Sequence, residues 1–178
     1  MELSVAIASR RTIKDFKPDP VPGELLDRAL AAGLWAQNHK LTEPWRFTVL
    51  GPETHRRLAA AFAESQSLAA RADAERKILT KPAVVAVSQR LAGDDTQRRE
   101  DYGAVACAVQ NIQLAAWADG LGMQWSSGKI IRLEAVYGLL GIDRQSEEIV
   151  GLLFFGYPAR VPEAARRSPL AEVSRRLP

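Results

Sequence analysis

Apolar positions recur at helical spacing in six stretches of the chain, and three others read as strands. Leu3 and Ile7 with the intervening alanines predict one or two helical turns ending near Ser9, after which Pro18, Pro20 and Pro22 keep the backbone extended. Leu25, Leu26, Ala29, Leu30 and Leu34 mark a helix from Gly23 to Leu34, with Glu24 in the first turn where the helix dipole favours an anion. Residues 35–44 are polar and irregular. Trp45–Leu50 alternates in the manner of a strand, and Gly51-Pro52 ends it and opens a helix to about Phe62. A polar helical segment over Ser67–Leu79 and a short branched strand over Pro82–Val87 follow.

From Ala104 to Ala118 only Gln110, Asn111 and Gln113 are polar. With its preceding polar turn this helix reaches about 20 residues, roughly 30 Å, and Gly120 supplies its stop. A rod that is apolar on nearly every side exceeds what a small domain wraps, so a second copy of the chain is expected to cover part of it. Cys107, flanked by alanines, reads as a packed thiol, and Asn111 and Gln113 as partners for backbone or interface groups. Arg132–Leu140 predicts a short helix stopped by Gly141, and Glu148–Phe155 is the strongest strand. This order predicts an α+β fold: a small, mostly antiparallel sheet with helices packed on it and a long buried helix at its centre.

Composition adds bounds. The 178 residues, 47% of them hydrophobic and 25% charged, predict a single globular domain over 1–178. One cysteine excludes an internal disulfide, and His39 and His55 stand in no metal-binding frame, so no metal is expected. No apolar run is long enough to span a bilayer, and no basic leader precedes the first apolar residues, which predicts a cytoplasmic protein without membrane contact. The net charge of +3 resides in residues 159–178, where five arginines face Glu163 and Glu172. That pattern reads as a basic C-terminal arm rather than a nucleic-acid-tracking surface.

The fingerprints of dinucleotide-binding, P-loop and serine-hydrolase folds are missing. In their place Arg10-Arg11-Thr12-Ile13-Lys14 occupies an extended stretch, where alternate side chains share a face. Arg10, Thr12 and Lys14 then offer a guanidinium, a hydroxyl and an ammonium to one ligand, a set that suits a phosphate with a polar ring beyond it. A solvated surface turn accounts for the same residues.

Four motifs in order extend this picture. Arg10-Arg11-Thr12-x-Lys14, Asn38-His39-Lys40 followed by Pro44-Trp45-Arg46-Phe47, Gly120-Leu121-Gly122 followed by Trp125-x-Ser127-Gly128, and Phe155-Gly156-Tyr157-Pro158 together resemble the FMN-dependent nitroreductase family, in particular its small His-Lys subfamily. The likeness covers about residues 3–158. Thr12 stands where serine is commoner, Ala36-Gln37 where many relatives have proline and serine, and Glu43 where glutamine is usual.

The resemblance implies an α/β sandwich working as an intertwined homodimer, with one FMN at each of two interface sites. Arg10, Arg11 and Thr12 would hold the phosphate and nearby polar groups, and Lys14 would lie near the flavin pyrimidine. Trp35 and His39 match cofactor-contacting positions supplied by the partner subunit, and Trp125, Ser126 and Ser127 match a segment that closes the site. NADH or NADPH would deliver hydride to flavin N5, and a small electron acceptor such as a nitroaromatic or quinone would then take its place, with no side chain acting as nucleophile. A flavin-binding storage or regulatory protein with little turnover is the alternative.

Overall fold

The computed structural model describes residues 1–178. Four strands, β1 (Trp45–Val49), β2 (Ala83–Arg90), β3 (Gly122–Ser126) and β4 (Glu147–Gly156), form one sheet in the order β1-β2-β4-β3, and every neighbouring pair is antiparallel. The helices are α1 (Leu3–Ser9), α2 (Gly23–Gly33), α3 (Pro52–Glu64), α4 (Arg71–Leu79), α5 (Asp95–Ala118), α6 (Glu134–Leu140) and a single turn, α7 (Leu170–Val173). The α+β architecture expected from the element order is the one observed. No helix is long and apolar enough to cross a membrane.

The sheet is apolar on both faces, and each face has its own helices. Val85, Val87, Val150, Leu153 and Phe155 pack with Leu26, Ala29 and Leu30 of α2 and with Val105, Ala108, Val109 and Ile112 of α5. On the opposite face Val84, Ala86, Ile149, Leu152 and Phe154 meet Leu58 of α3, Ile78 of α4 and Val136 and Tyr137 of α6. β4 is buried on both sides over most of its length, which is why it reads as a continuous apolar run. Its register against β2 shifts between Val87 and Ser88, where Val150 is the extra residue of a bulge. The faces change parity there: Ile149 points to the α3 side before the bulge, whereas Leu152 and Phe154 do so after it.

α5 runs for 24 residues, starting on Asp94, whose side chain accepts from the Gln97 amide at 2.9 Å. Gly120 ends the helix with φ 81°, a left-handed conformation that lets the Leu121 amide return to the Ala116 carbonyl at 2.8 Å. Within one chain α5 buries a single face, and Gly103, Cys107 and Gln110 stay exposed with Leu114 half-buried, at the spacing of one helical stripe. Cys107, which the sequence reads as a packed thiol, is exposed within one chain. Leu3, Val5 and Ile7 of α1 are also exposed, as are Leu34, Trp35 and Leu41.

β3 was not among the strands that the sequence pattern predicts. It forms the edge beside β4, and part of that edge is covered by the extended stretch after α1. The Ile13 amide donates to the Met123 carbonyl at 3.1 Å, and a bridge joins Thr12 to Met123. Further on, the Lys17 amide donates to Tyr157 at 2.8 Å and Ala159 returns a hydrogen bond to Asp15 at 3.0 Å. Ile13 is fully buried. It lies so close to Gly122 that a Cβ there would come within 2.6 Å of its Cγ1.

Candidate flavin and phosphate site

Ile13 sets the geometry of the basic stretch. With this side chain driven into the core, Thr12 and Lys14 on either side of it are exposed, and both line one cavity of about 280 Å³ together with Arg160 and Pro162. The alternation expected for an extended segment is thus present at these two residues.

Arg10 and Arg11 stand at the C-terminal end of α1, both half-buried. One terminal nitrogen of Arg11 donates to the carbonyls of Ala8 and Arg10, each at 2.9 Å, while its Nε is buried without any partner. Burial, followed by the like charges of Arg11 and Arg167, holds the Arg10 guanidinium below its ordinary proton affinity. None of these three arginines takes part in an ion pair. Mutually repelling guanidiniums with no carboxylate among them and an unsatisfied buried N–H form a donor set of the kind that suits a phosphate dianion. From the sequence Arg167 reads, with Arg166, Arg175 and Arg176, as part of a basic arm lying on solvent or a partner, and not as a phosphate contact. Its approach to Arg10 depends on the path of the tail, which no local pattern encodes.

Lys14 also lines a cavity of about 630 Å³ between the N-terminal stretch, α4 and β3. Arg76 and Lys77 of α4, Lys81 just before β2 and Gln124 of β3 share this cavity, and Arg76 is engaged by Asp73 at 2.8 Å. Cations therefore extend from the arginine cluster through Lys14 to α4. Lys77, Lys81 and Gln124 belong to no motif visible in the chain. Lys77 was missed because a lysine on the polar face of an amphipathic helix is ordinarily just solvated, and Lys81 and Gln124 because no local pattern brings them to Lys14.

The chain carries this arrangement on a recognisable framework. The family model for the nitroreductase family matches residues 7–157. The chain belongs to the nitroreductase family. A relative from Bacillus subtilis, named "Putative NAD(P)H nitroreductase YfhC", is 32% identical over 174 residues, covering 93% of this chain and 89% of its own. "Putative NAD(P)H nitroreductase YdjA" of Escherichia coli K12 is 31% identical, covering 88% and 87%. Among solved structures, the nitroreductase-like family protein of Bacillus cereus is 31% identical and superposes with a TM-score of 0.90 over 99% of this chain and 96% of that one. A Desulfovibrio desulfuricans protein, described as a "putative nitroreductase in complex with FMN", is 27% identical with a TM-score of 0.81, covering 100% and 98%.

The other residues that the resemblance singles out are distributed around this nitroreductase fold. Trp125 is half-buried in β3, with its indole N–H directed at the Val150 carbonyl at 3.4 Å. Ser126 ends the strand, and Ser127 lines a separate cavity of about 420 Å³ with Tyr102, Arg132 and Tyr137. Trp35 is 88% exposed. His39 is exposed too, in a loop where Lys40, Leu41 and Glu43 all have left-handed φ, an arrangement that costs energy for residues with a Cβ. Asn38 braces that loop by accepting from the Glu43 amide at 3.0 Å. His39 faces a cavity shared with Asn38, Glu100 and Cys107, and none of the residues from Arg10 to Lys14 lines it. Within one subunit the structure gathers Arg10, Arg11, Thr12 and Lys14 into one region and leaves Trp35 and His39 in another.

Proposed function

We propose that this nitroreductase-family chain is an FMN-dependent oxidoreductase that draws electrons from NADH or NADPH and passes them to a small electrophile such as a nitroaromatic or quinone, working as a homodimer. The observation that carries this reading is the unpaired arginine cluster of Arg10, Arg11 and Arg167, a few residues along the chain from Lys14, which lines a cavity with Lys77. FMN has that shape and charge: a phosphate dianion joined through a polar chain to a ring that becomes electron-rich on reduction. The names of the Bacillus subtilis and Escherichia coli relatives support the reductant, and the Desulfovibrio desulfuricans complex supports the cofactor.

When bound, FMN supplies the two-electron redox chemistry, and this chain supplies binding, orientation and charge. Arg10, Arg11 and Thr12 hold the phosphate, with Arg167 of the tail adding a third guanidinium. Lys14 lies at the pyrimidine side, where an ammonium lowers the cost of negative charge on the ring. Lys77 offers a second cation from α4. Trp125 and Ser126 of β3 and Ser127 just after it serve to close the site, although Ser127 lines a separate cavity within one subunit. Trp35 and His39 serve the neighbouring subunit's cofactor, in keeping with their exposure and their separation from Lys14. Pairing of two chains through the open stripe of α5 and the apolar side of α1 brings these surfaces together.

Purified protein is expected to be yellow, to release FMN on denaturation, and to bleach on anaerobic addition of NADH or NADPH. Colour that persists in excess reductant would favour the storage reading, and failure to bind added FMN would reject the site.

A further inference from the structure

Lys81 follows the last turn of α4 and is only 7% exposed. Its ammonium lies 5.2 Å from the ring centroid of Phe16 and 5.9 Å from that of Phe154, and no carboxylate forms an ion pair with it. Burial is the main force lowering its proton affinity. Lys77 adds to the effect and Asp15 opposes it. A charge sequestered without an ion pair opposes folding, and a straight apolar side chain would occupy the same space at lower cost. Stability alone thus gives no reason for a lysine here.

The hydrogen bond it makes gives one. Lys81 Nζ donates to the carbonyl of Lys14 at 2.6 Å, the one hydrogen bond made by the Lys14 backbone. The stretch around Lys14 is fastened by Ile13 on one side and by Asp15 and Lys17 on the other. Between those anchors Lys81 reaches across from the α4 side of the cavity that both lysines line. We propose that Lys81 is a positioning residue: by holding the Lys14 carbonyl, it fixes the peptide from which the Lys14 side chain reaches the flavin ring. This rests on the flavin reading of the site. It assigns a task to a residue outside every motif of the sequence.

The first measurement needs no cofactor. In apo-protein, Lys81→Met is expected to speed amide hydrogen exchange over residues 12–17 about tenfold relative to the rest of the sheet. Unchanged exchange there would overturn the proposal whatever the site binds. The second is a double-mutant cycle on affinity for oxidised and two-electron-reduced FMN, using Lys14→Met, Lys81→Met and the pair. Lys14→Met is expected to weaken reduced FMN about tenfold more than oxidised FMN, equivalent to a midpoint potential about 30 mV more negative. Lys81→Met should shift it in the same direction, and the pair no further than Lys14→Met. Additive shifts, or none from Lys81→Met while Lys14→Met shifts, would overturn the inference. No effect from Lys14→Met would instead reject the placement of the ring. Should Lys81→Met fail to fold, Lys81→Gln carries the same measurements.

Discussion

The hydroxyl of Thr42 donates to the carboxylate of Asp101 at 2.6 Å, fastening the loop ahead of β1 to an α5 residue that is 2% exposed. This bond holds a segment with three left-handed residues, so removing it strands a buried carboxylate as well as releasing the loop. Thr42→Val is expected to cost about 1–3 kcal/mol in urea unfolding, with Thr42→Ser close to wild type. Equal stability of all three would mean that the loop is held by other contacts.

Arg10→Ala should weaken FMN binding by about ten- to a hundredfold, corresponding to roughly 1.5–3 kcal/mol for a charge-assisted contact. Arg167→Ala should act in the same direction. Calorimetric titration of apo-protein with FMN measures both, and riboflavin, which lacks the phosphate, should be insensitive to either change.

Ile13 carries the basic stretch into the core. Ile13→Ala is expected to cost about 2–5 kcal/mol in denaturant unfolding, as expected for truncating a fully buried side chain. It should also loosen FMN binding, although Ile13 itself points away from the cavity that Thr12 and Lys14 line.

The buried ammonium of Lys81 predicts a pH dependence. Because its proton affinity is lowered in the native state, the unfolded chain binds more protons between the native pKa and the usual lysine value, about 10.4. Stability from this group therefore rises with pH across that interval, and the full cost of burying the charge applies below it. Urea midpoints measured on the alkaline side should show the rise in wild type and not in Lys81→Met, which should be at least as stable at neutral pH.

Cys107 lies on the open stripe of α5, where a single chain can accommodate a charge. Cys107→Glu is expected to keep its helical content yet run as a monomer in light scattering, with poor FMN retention. A flavin-loaded dimer would move the pairing surface elsewhere.

The α+β class and most elements were legible because α2, α3, β1, β2 and β4 have strong periodicity and clear Gly-Pro or glycine boundaries. β3 escaped because Gly122-Met-Gln-Trp-Ser is short, has no β-branched residue and lies in a glycine-marked stretch. The family was legible because four motifs preserve their order, and the match over residues 7–157 bears that out. What local pattern could not supply was the meeting of distant parts: Arg167 with Arg10, Lys81 with Lys14, Thr42 with Asp101. Nor could it distinguish an α5 surface buried by its own chain from one left open, since Cys107 among alanines reads the same in both cases.

The irregular pairing of β4 has a cost that cannot be removed piecemeal. Deleting Val150 would give β2 and β4 an unbroken ladder, with Ile149 still opposite Ser88 and still facing α3, yet it would take a buried apolar side chain out of the α5 side of the core. It would also remove the carbonyl that faces the Trp125 indole. A residue gained or lost elsewhere in β4 would exchange its two faces, so length changes there should be far less tolerated than residue swaps that preserve volume.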